Sequence, residues 1–237
     1  MKTFKTTLAV TTAALLAASS AHAIKTDKIN LKGNMTLEYL KTPGKVESLG
    51  EMFTEGMLYG RLRMNTFYWD WNTEGGNNQD NKAMGVGGSL VYKTAQFSGL
   101  SATLGMYTSQ NPDFFRMDKD EVGTVKAGKD TFERNKVKNG GTFDGHFGMT
   151  TVAQAYLKYD RGNTSVIAGR QMFESVFTKS NDTKMIPNAF DGITVTNTDV
   201  PDTKLQFAYF TAHKLRDHTD SHDVIAFDSW NENDDSA

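Results

Sequence analysis

Between Met57 and Lys214 the chain repeatedly switches between apolar and polar residues with a period of two, in short segments separated by polar stretches. Successive side chains of a strand point to opposite faces, so this pattern predicts sheets with two chemically different sides. No stretch beyond the N-terminus reaches the length of apolar sequence that a membrane-spanning helix needs. The N-terminus itself, MKTFKTTLAVTTAALLAASSAHA (residues 1–23), reads as an export signal. Lys2 and Lys5 form its basic start, Leu8–Ala18 its apolar stretch, and Ala21-His22-Ala23 its cleavage site. Export followed by alternating strands leaves two architectures: a secreted β-protein, or a barrel in the outer membrane.

Composition narrows the classes. Without Lys2 and Lys5 the exported part carries a net charge of about −4, which is no footprint for nucleic acid. Cysteine is absent, so disulfides and thiol chemistry are excluded. Mean hydropathy is negative. A barrel shares that property with a soluble protein, because only alternate strand residues meet lipid.

Residues 24–55 are mixed and polar, with a Pro43-Gly44 turn, and are expected to form a periplasmic lead-in. The first strong strand is Met57–Trp71. Leu58, Leu62, Met64 and Tyr68 share one parity, and Arg61, Arg63 and Asn65 the other. The aromatics Phe67, Tyr68, Trp69 and Trp71 suit a membrane–water boundary. Further strands are predicted over 83–94, 100–107, 149–159, 164–171, 190–196 and 204–214, with an eighth over 224–230. Short connections (95–99, Asp160-Arg161-Gly162-Asn163, Asp199-Val200-Pro201-Asp202) alternate with long ones (72–81, 108–147, 172–188). That asymmetry is expected of an outer-membrane barrel. The closing residues 231–237, NENDDSA, read as loop, so the chain is expected to be the N-terminal part of a longer barrel. Shared parity places Leu58, Leu62, Met84, Val86, Leu90, Leu104 and Leu157 on the lipid side.

These segments resemble a known family. GMLYGRLRMNTFYWDW (56–71), then AMGVGGSLVYKT (83–94), GRQMFES (169–175), MIPNAFDGITVTN (185–197) and LQFAYFTAHKLRD (205–217) are similar, in order and spacing, to the OprD-type outer-membrane porins. Ile186 stands where the family carries threonine. The resemblance implies an all-β fold, an antiparallel transmembrane barrel of about eighteen strands, of which this chain holds seven or eight. It implies a monomer or loose trimer in outer-membrane lipid. It also implies passive passage of small solutes such as amino acids, peptides or carboxylates, guided by lumen arginines and lysines, with acidic loop residues meeting the amine.

The candidate pore-lining residues are Arg61, Arg63, Lys93, Lys158 and Arg170. Guanidiniums on a pore wall attract carboxylates. The plainer reading of Arg61 and Arg63 is a hydrated lumen face, or an Arg–Asp pair that holds a loop. Arg170 shares parity with Val166 and Ala168, which leaves its side open. His213, His218 and His222, near Asp217, Asp220 and Asp223, match no tetrahedral metal spacing. Residues 118–123 place Val122 where a calcium loop needs oxygen, and Gly85-Val86-Gly87-Gly88 lacks the Lys-Ser/Thr of a phosphate loop. No catalytic constellation, metal site or cofactor is expected. The alternative to a porin is a secreted or surface β-barrel or β-sandwich acting as a binding or adhesion module.

Overall fold

The structure, a computed structural model, describes residues 29–75, 78–122, 131–133 and 146–224. The expected export signal, and the expected eighth strand beyond Val224, lie outside the described residues. Seven long strands form one antiparallel meander: β4 (Met57–Trp69), β5 (Asn81–Lys93), β7 (Leu100–Gln110), β8 (Gly148–Arg161), β9 (Thr164–Gln171), β10 (Ala189–Asn197) and β11 (Leu205–Lys214). Each matches a strand predicted from period two to within a few residues. Two short strands, β3 (Lys45–Val46) and β6 (Gln96–Phe97), pair in parallel beside β7. A separate hairpin joins β1 (Ile29–Leu31) to β2 (Leu37–Tyr39). The single-turn helix α1 (Leu49–Thr54) starts at a capping box. Ser48 Oγ accepts from Glu51 N, and Glu51 Oε2 accepts from Ser48 N, both at 3.2 Å.

Register fixes which side chains share a face. Leu58 faces Tyr92, Tyr92 faces Leu104, and Leu104 faces Ala155. Leu157 faces Ala168, which faces Ile193, which faces Tyr209. This outer face exposes large apolar groups: Leu58, Leu62, Leu90, Leu104, Met106, Leu157, Ile193, Leu205, Phe207 and Tyr209 are all exposed, Leu62 at 78%. Met84 has the same parity but is buried. The segment after β7 reaches over that end of β5, with Asn111 Nδ2 donating to the Met84 carbonyl at 2.8 Å.

The packed core lies on the inner face. Val91, Tyr107, Met149 and Ala153 from the strands are buried against Met185, Ile186 and Ala189. A second cluster sets Ala83 against Met117, Val122 and Phe132. Connections at the long-loop end therefore fold inward and supply half of the core. Ile186, the departure from the family motif, is fully buried there, where an aliphatic side chain fills space that a threonine would leave with a hydroxyl to satisfy. Gly85 makes the approach possible, since a Cβ on it would lie within 2.7 Å of Thr131 and 2.9 Å of Met185. Ala153 is the extra residue of a bulge in β8 opposite Gly105/Met106.

The aromatic run at the end of β4 is divided by parity rather than gathered on one side. Tyr68 stands exposed on the outer face, while Lys184 sits over the Phe67 ring at 4.0 Å. If the outer face meets hydrocarbon, single cysteines at Leu58, Leu62, Leu90, Leu104 and Leu157 resist a water-soluble thiol reagent in intact outer membranes. Ready labelling at most of these positions would refute the assignment of faces.

Candidate functional site

The inner face of β4 presents Arg61 and Arg63, two residues apart and therefore side by side on one wall. Both reach the same carboxylate. Asp182, in the 17-residue connection 172–188 between β9 and β10, is 2% exposed and sits between them. Arg61 Nη1 donates to Asp182 Oδ2 at 2.8 Å and to the Met35 carbonyl at 3.0 Å. Arg63 Nη1 donates to the Asp182 backbone carbonyl at 2.9 Å and lies 2.9 Å from Oδ1. That N–H points at the main chain, so Oδ1 is paired with Arg63 by charge and proximity, and neither Oδ1 nor Arg63 Nη2 holds an aligned hydrogen bond. Burial pushes the Asp182 carboxyl up to about 6, outweighing the pull of the two guanidiniums.

The cluster extends into the N-terminal hairpin. Residues 29–39, expected to belong to a periplasmic lead-in, pack against the inner face and the loop 172–188. Asp182 N donates to the Asn34 carbonyl at 2.8 Å, and Asn34 Nδ2 donates to Ser180 O at 2.7 Å and Glu174 Oε1 at 2.9 Å. Lys32 closes the group by pairing with Glu174 at 3.0 Å. Burial alone pushes Glu174 up, but the bonds from Lys32 and Asn34 more than offset it and hold it below the usual carboxylate range. Asn65 Nδ2 donates to the carbonyls of Thr183 and Lys184, which anchors the same loop to β4. The hairpin and the loop thus form a strap across the inner wall, tied mainly through one carboxylate.

The other candidates are dispersed. Lys93 is on the inner face, with its ammonium 5.0 Å from the centre of the Tyr39 ring, and Tyr39 in turn lies 4.1 Å from Tyr59. Burial pushes the Tyr39 phenol up to about 12, so it stays neutral and serves as a π platform. Lys158 is also inward but pairs with Asp160 at 2.8 Å near the short-turn end. Arg170 does not join this wall. Its register partners, Ala155 and Asp191, belong to the outer parity. Its guanidinium pairs with Asp191 at 2.6 Å and donates to Ser221 Oγ at 2.6 Å. Sequence reading left its side open because period two counts parity along one strand and cannot say which parity is outside.

The three histidines come closer than strand parity implies. The segment after β11 folds back, and His213 and His222 exchange backbone hydrogen bonds of 2.7 and 3.0 Å. Their rings are 5.5 Å apart, and His213 stacks on Phe190 at 4.5 Å. Among the described residues no group of three or more His, Cys, Asp or Glu is arranged to hold a metal ion. The residues that sequence reading missed are Asp182, Asn34 and Tyr39. The one available signal for Asp182 was the length of the loop that carries it.

Comparison with known proteins follows this geometry. Residues 123–237 match the family model described as outer membrane porin, OprD family. No curated protein sequence matches the chain. Among solved structures, Acinetobacter baumannii OccAB2 superimposes with a TM-score of 0.53 at 17% identity, covering 73% of this chain and 40% of that one. Pseudomonas aeruginosa OccK9 (OpdG) gives 0.50 at 16% identity, over 70% of this chain and 39% of that one. Pseudomonas aeruginosa OccK8 (OprE) gives 0.50 at 16% identity, over 72% and 37%. The chain therefore spans about two fifths of the length of the structures it resembles, and the likeness is one of fold. The seven long strands of the described residues have the fold of part of a porin β-barrel wall, with short turns at one end and long loops at the other. The matched segment and the porin-like sheet together carry the conclusion: over residues 123–237 the chain is similar to the OprD family of outer-membrane porins, and its sheet has the fold of part of a porin barrel.

Proposed function

We propose that this protein forms a passive diffusion pore for small solutes that bear a carboxylate, such as amino acids or short peptides. Residues 56–237 supply part of the barrel wall. Residues 24–55 precede it, with the hairpin 29–39 and the loop 172–188 narrowing the lumen. One observation carries the reading: two guanidiniums stand side by side on the inner wall and share a single carboxylate, leaving a surplus of positive charge. Fixed charge in a narrow, low-dielectric passage concentrates the opposite charge. Lys93, further along the same face, adds to it.

The charge balance is testable with near-isosteric substitutions that keep the packing around the pair. Removing one partner of a buried pair costs roughly 3–5 kcal/mol, so Arg63→Ala alone would confound permeation with folding. Asp182→Asn is expected to raise anion selectivity, and Arg61→Gln/Arg63→Gln/Asp182→Asn to lower it below wild type. Both effects shrink with salt, as the Debye length falls from about 10 Å at 0.1 M to about 3 Å at 1 M. Single-channel reversal potentials in a salt gradient read the change. Equal selectivity of all three proteins at low salt would remove the arginines from the ion path.

Asp182 also predicts a pH response. Its carboxyl titrates near 6 when the strap is docked and lower, in the ordinary carboxylate range, when the strap is free. The docked state therefore binds the proton more tightly, and docking is favoured by acid and weakened as pH rises from about 4 to about 6. Wild-type conductance is expected to increase across that window, and Asp182→Asn to flatten the response. A wild-type profile that is flat from pH 4 to 7, or that falls, would contradict the strap.

A further inference from the structure

The outer face carries a recess as well as a belt. Register sets Leu58, Gly60, Leu62 and Met64 of β4 beside Tyr92, Leu90, Gly88 and Val86 of β5, and beside Leu104, Met106, Thr108 and Gln110 of β7. Gly60 and Gly88 are diagonal neighbours in this grid. With Thr108 they floor a groove of about 600 Å³, banked by Leu62 and Val86 on one side and Leu90 and Met106 on the other.

The groove offers an occupant nothing polar. Thr108 Oγ1, on its floor, is already bonded to Thr150 Oγ1 at 2.8 Å and to the Met149 carbonyl at 3.3 Å. The Arg61 guanidinium points away to Asp182 on the inner face. The recess is continuous with the exposed leucine belt, the apolar outward face that a transmembrane barrel turns to lipid, and so it opens into hydrocarbon. It crosses the middle of β4 and β5 and runs toward the long-loop end of β7, so it lies near the middle of the wall. Its two glycines differ in kind. Gly88 has φ +150, and a Cβ on it would lie 1.7 Å from the Arg61 carbonyl, so the backbone there requires glycine. Gly60 is under no such demand, since a Cβ on it would meet only Leu90 Cδ2, at 3.6 Å. A side chain at position 60 would fit, and would fill the groove.

We propose that this groove seats one acyl chain of a membrane lipid. Lipid tails are as apolar as leucine, so the hydrophobic effect does not favour a bound tail over a free one. What holds it is contact: a chain lying between the two banks touches protein on several sides, where a tail on a flat wall touches it on one.

The test uses the protein expressed from its complete reading frame and reconstituted in phosphatidylethanolamine/phosphatidylglycerol vesicles. Phosphatidylethanolamine with a spin label on its acyl chain reports motionally restricted lipid by electron spin resonance. Gly60→Leu is expected to lose one restricted site per barrel, and Gly60→Ala, whose methyl makes only an ordinary contact, to weaken it. Ala155→Leu, on the exposed outer face of β8 away from the groove, is expected to leave the count unchanged. Equal restricted lipid in wild type, Gly60→Ala and Gly60→Leu overturns the proposal. Residues 1–237 hold no cysteine, so Leu62→Cys, in a background with any other cysteine replaced, supplies a unique thiol. Efficient disulfide cross-linking between barrels at that position would assign the groove to a second copy and overturn the lipid. These readouts do not involve the pore.

Discussion

In hydrocarbon an unpaired backbone N–H or C=O has no water to turn to, and that cost governs everything else in this chain. It is met by the antiparallel ladder that runs without a break in strand order from β4 to β11. The ladder commits each strand to two faces. The face turned to lipid must be apolar, so the core that a soluble sheet would build there has to be built on the other side. The loops at one end carry Met185, Ile186, Met117, Val122 and Phe132 inward to form it. The sheet is therefore inverted relative to a secreted sandwich, with a belt of large apolar side chains exposed on one face and Arg61 and Arg63 covered on the other.

Covering arginines has its own cost. A guanidinium does not give up its proton, so Arg61 and Arg63 on the inner wall need acceptors. Water could supply them in an open lumen. Here Asp182, its own carbonyl and that of Met35 do so, and in doing so they pin a loop and a hairpin in place. Of the two readings available for Arg61 and Arg63 from sequence, a charged lumen face and an Arg–Asp pair that holds a loop, the structure contains the second.

How much of this was legible follows from what each signal measures. Period two found the seven long strands of the described residues, because alternation is imposed residue by residue by the two environments of the wall. Short and long connections marked the two ends, since the bounds of 160–163 and 199–202 are set by local turn chemistry, with Gly162 at φ +58 and Asp202 at φ +57. Arg61 and Arg63 were recognisable as inward because Leu58, Leu62 and Met64 flank them. Arg170 was not, because Val166 and Ala168 are apolar on an outer face while Ile167 is apolar on the inner one, so parity there carries no contrast. Asp182 and Asn34 were invisible for a different reason. Their roles depend on a contact between segments about 120 to 150 residues apart in sequence, and neither lies in a periodic element.

The connection 172–188 leaves β9 and returns to β10, yet its Asp182 grips β4, at the opposite end of the meander. It is a chord across the four strand-to-strand steps from β9 to β4 rather than a cap over its own hairpin. Each hairpin of the sheet can form from neighbouring segments, but the chord cannot close until β4 and β9 are both in place and the sheet between them is bent enough to bring them within reach. Once made, it resists flattening, because uncurling the sheet would pull a buried carboxylate from two guanidiniums. The loop thus acts as a brace that stores the curvature of the wall in a single ionic joint, before any further strand is added to close the ring.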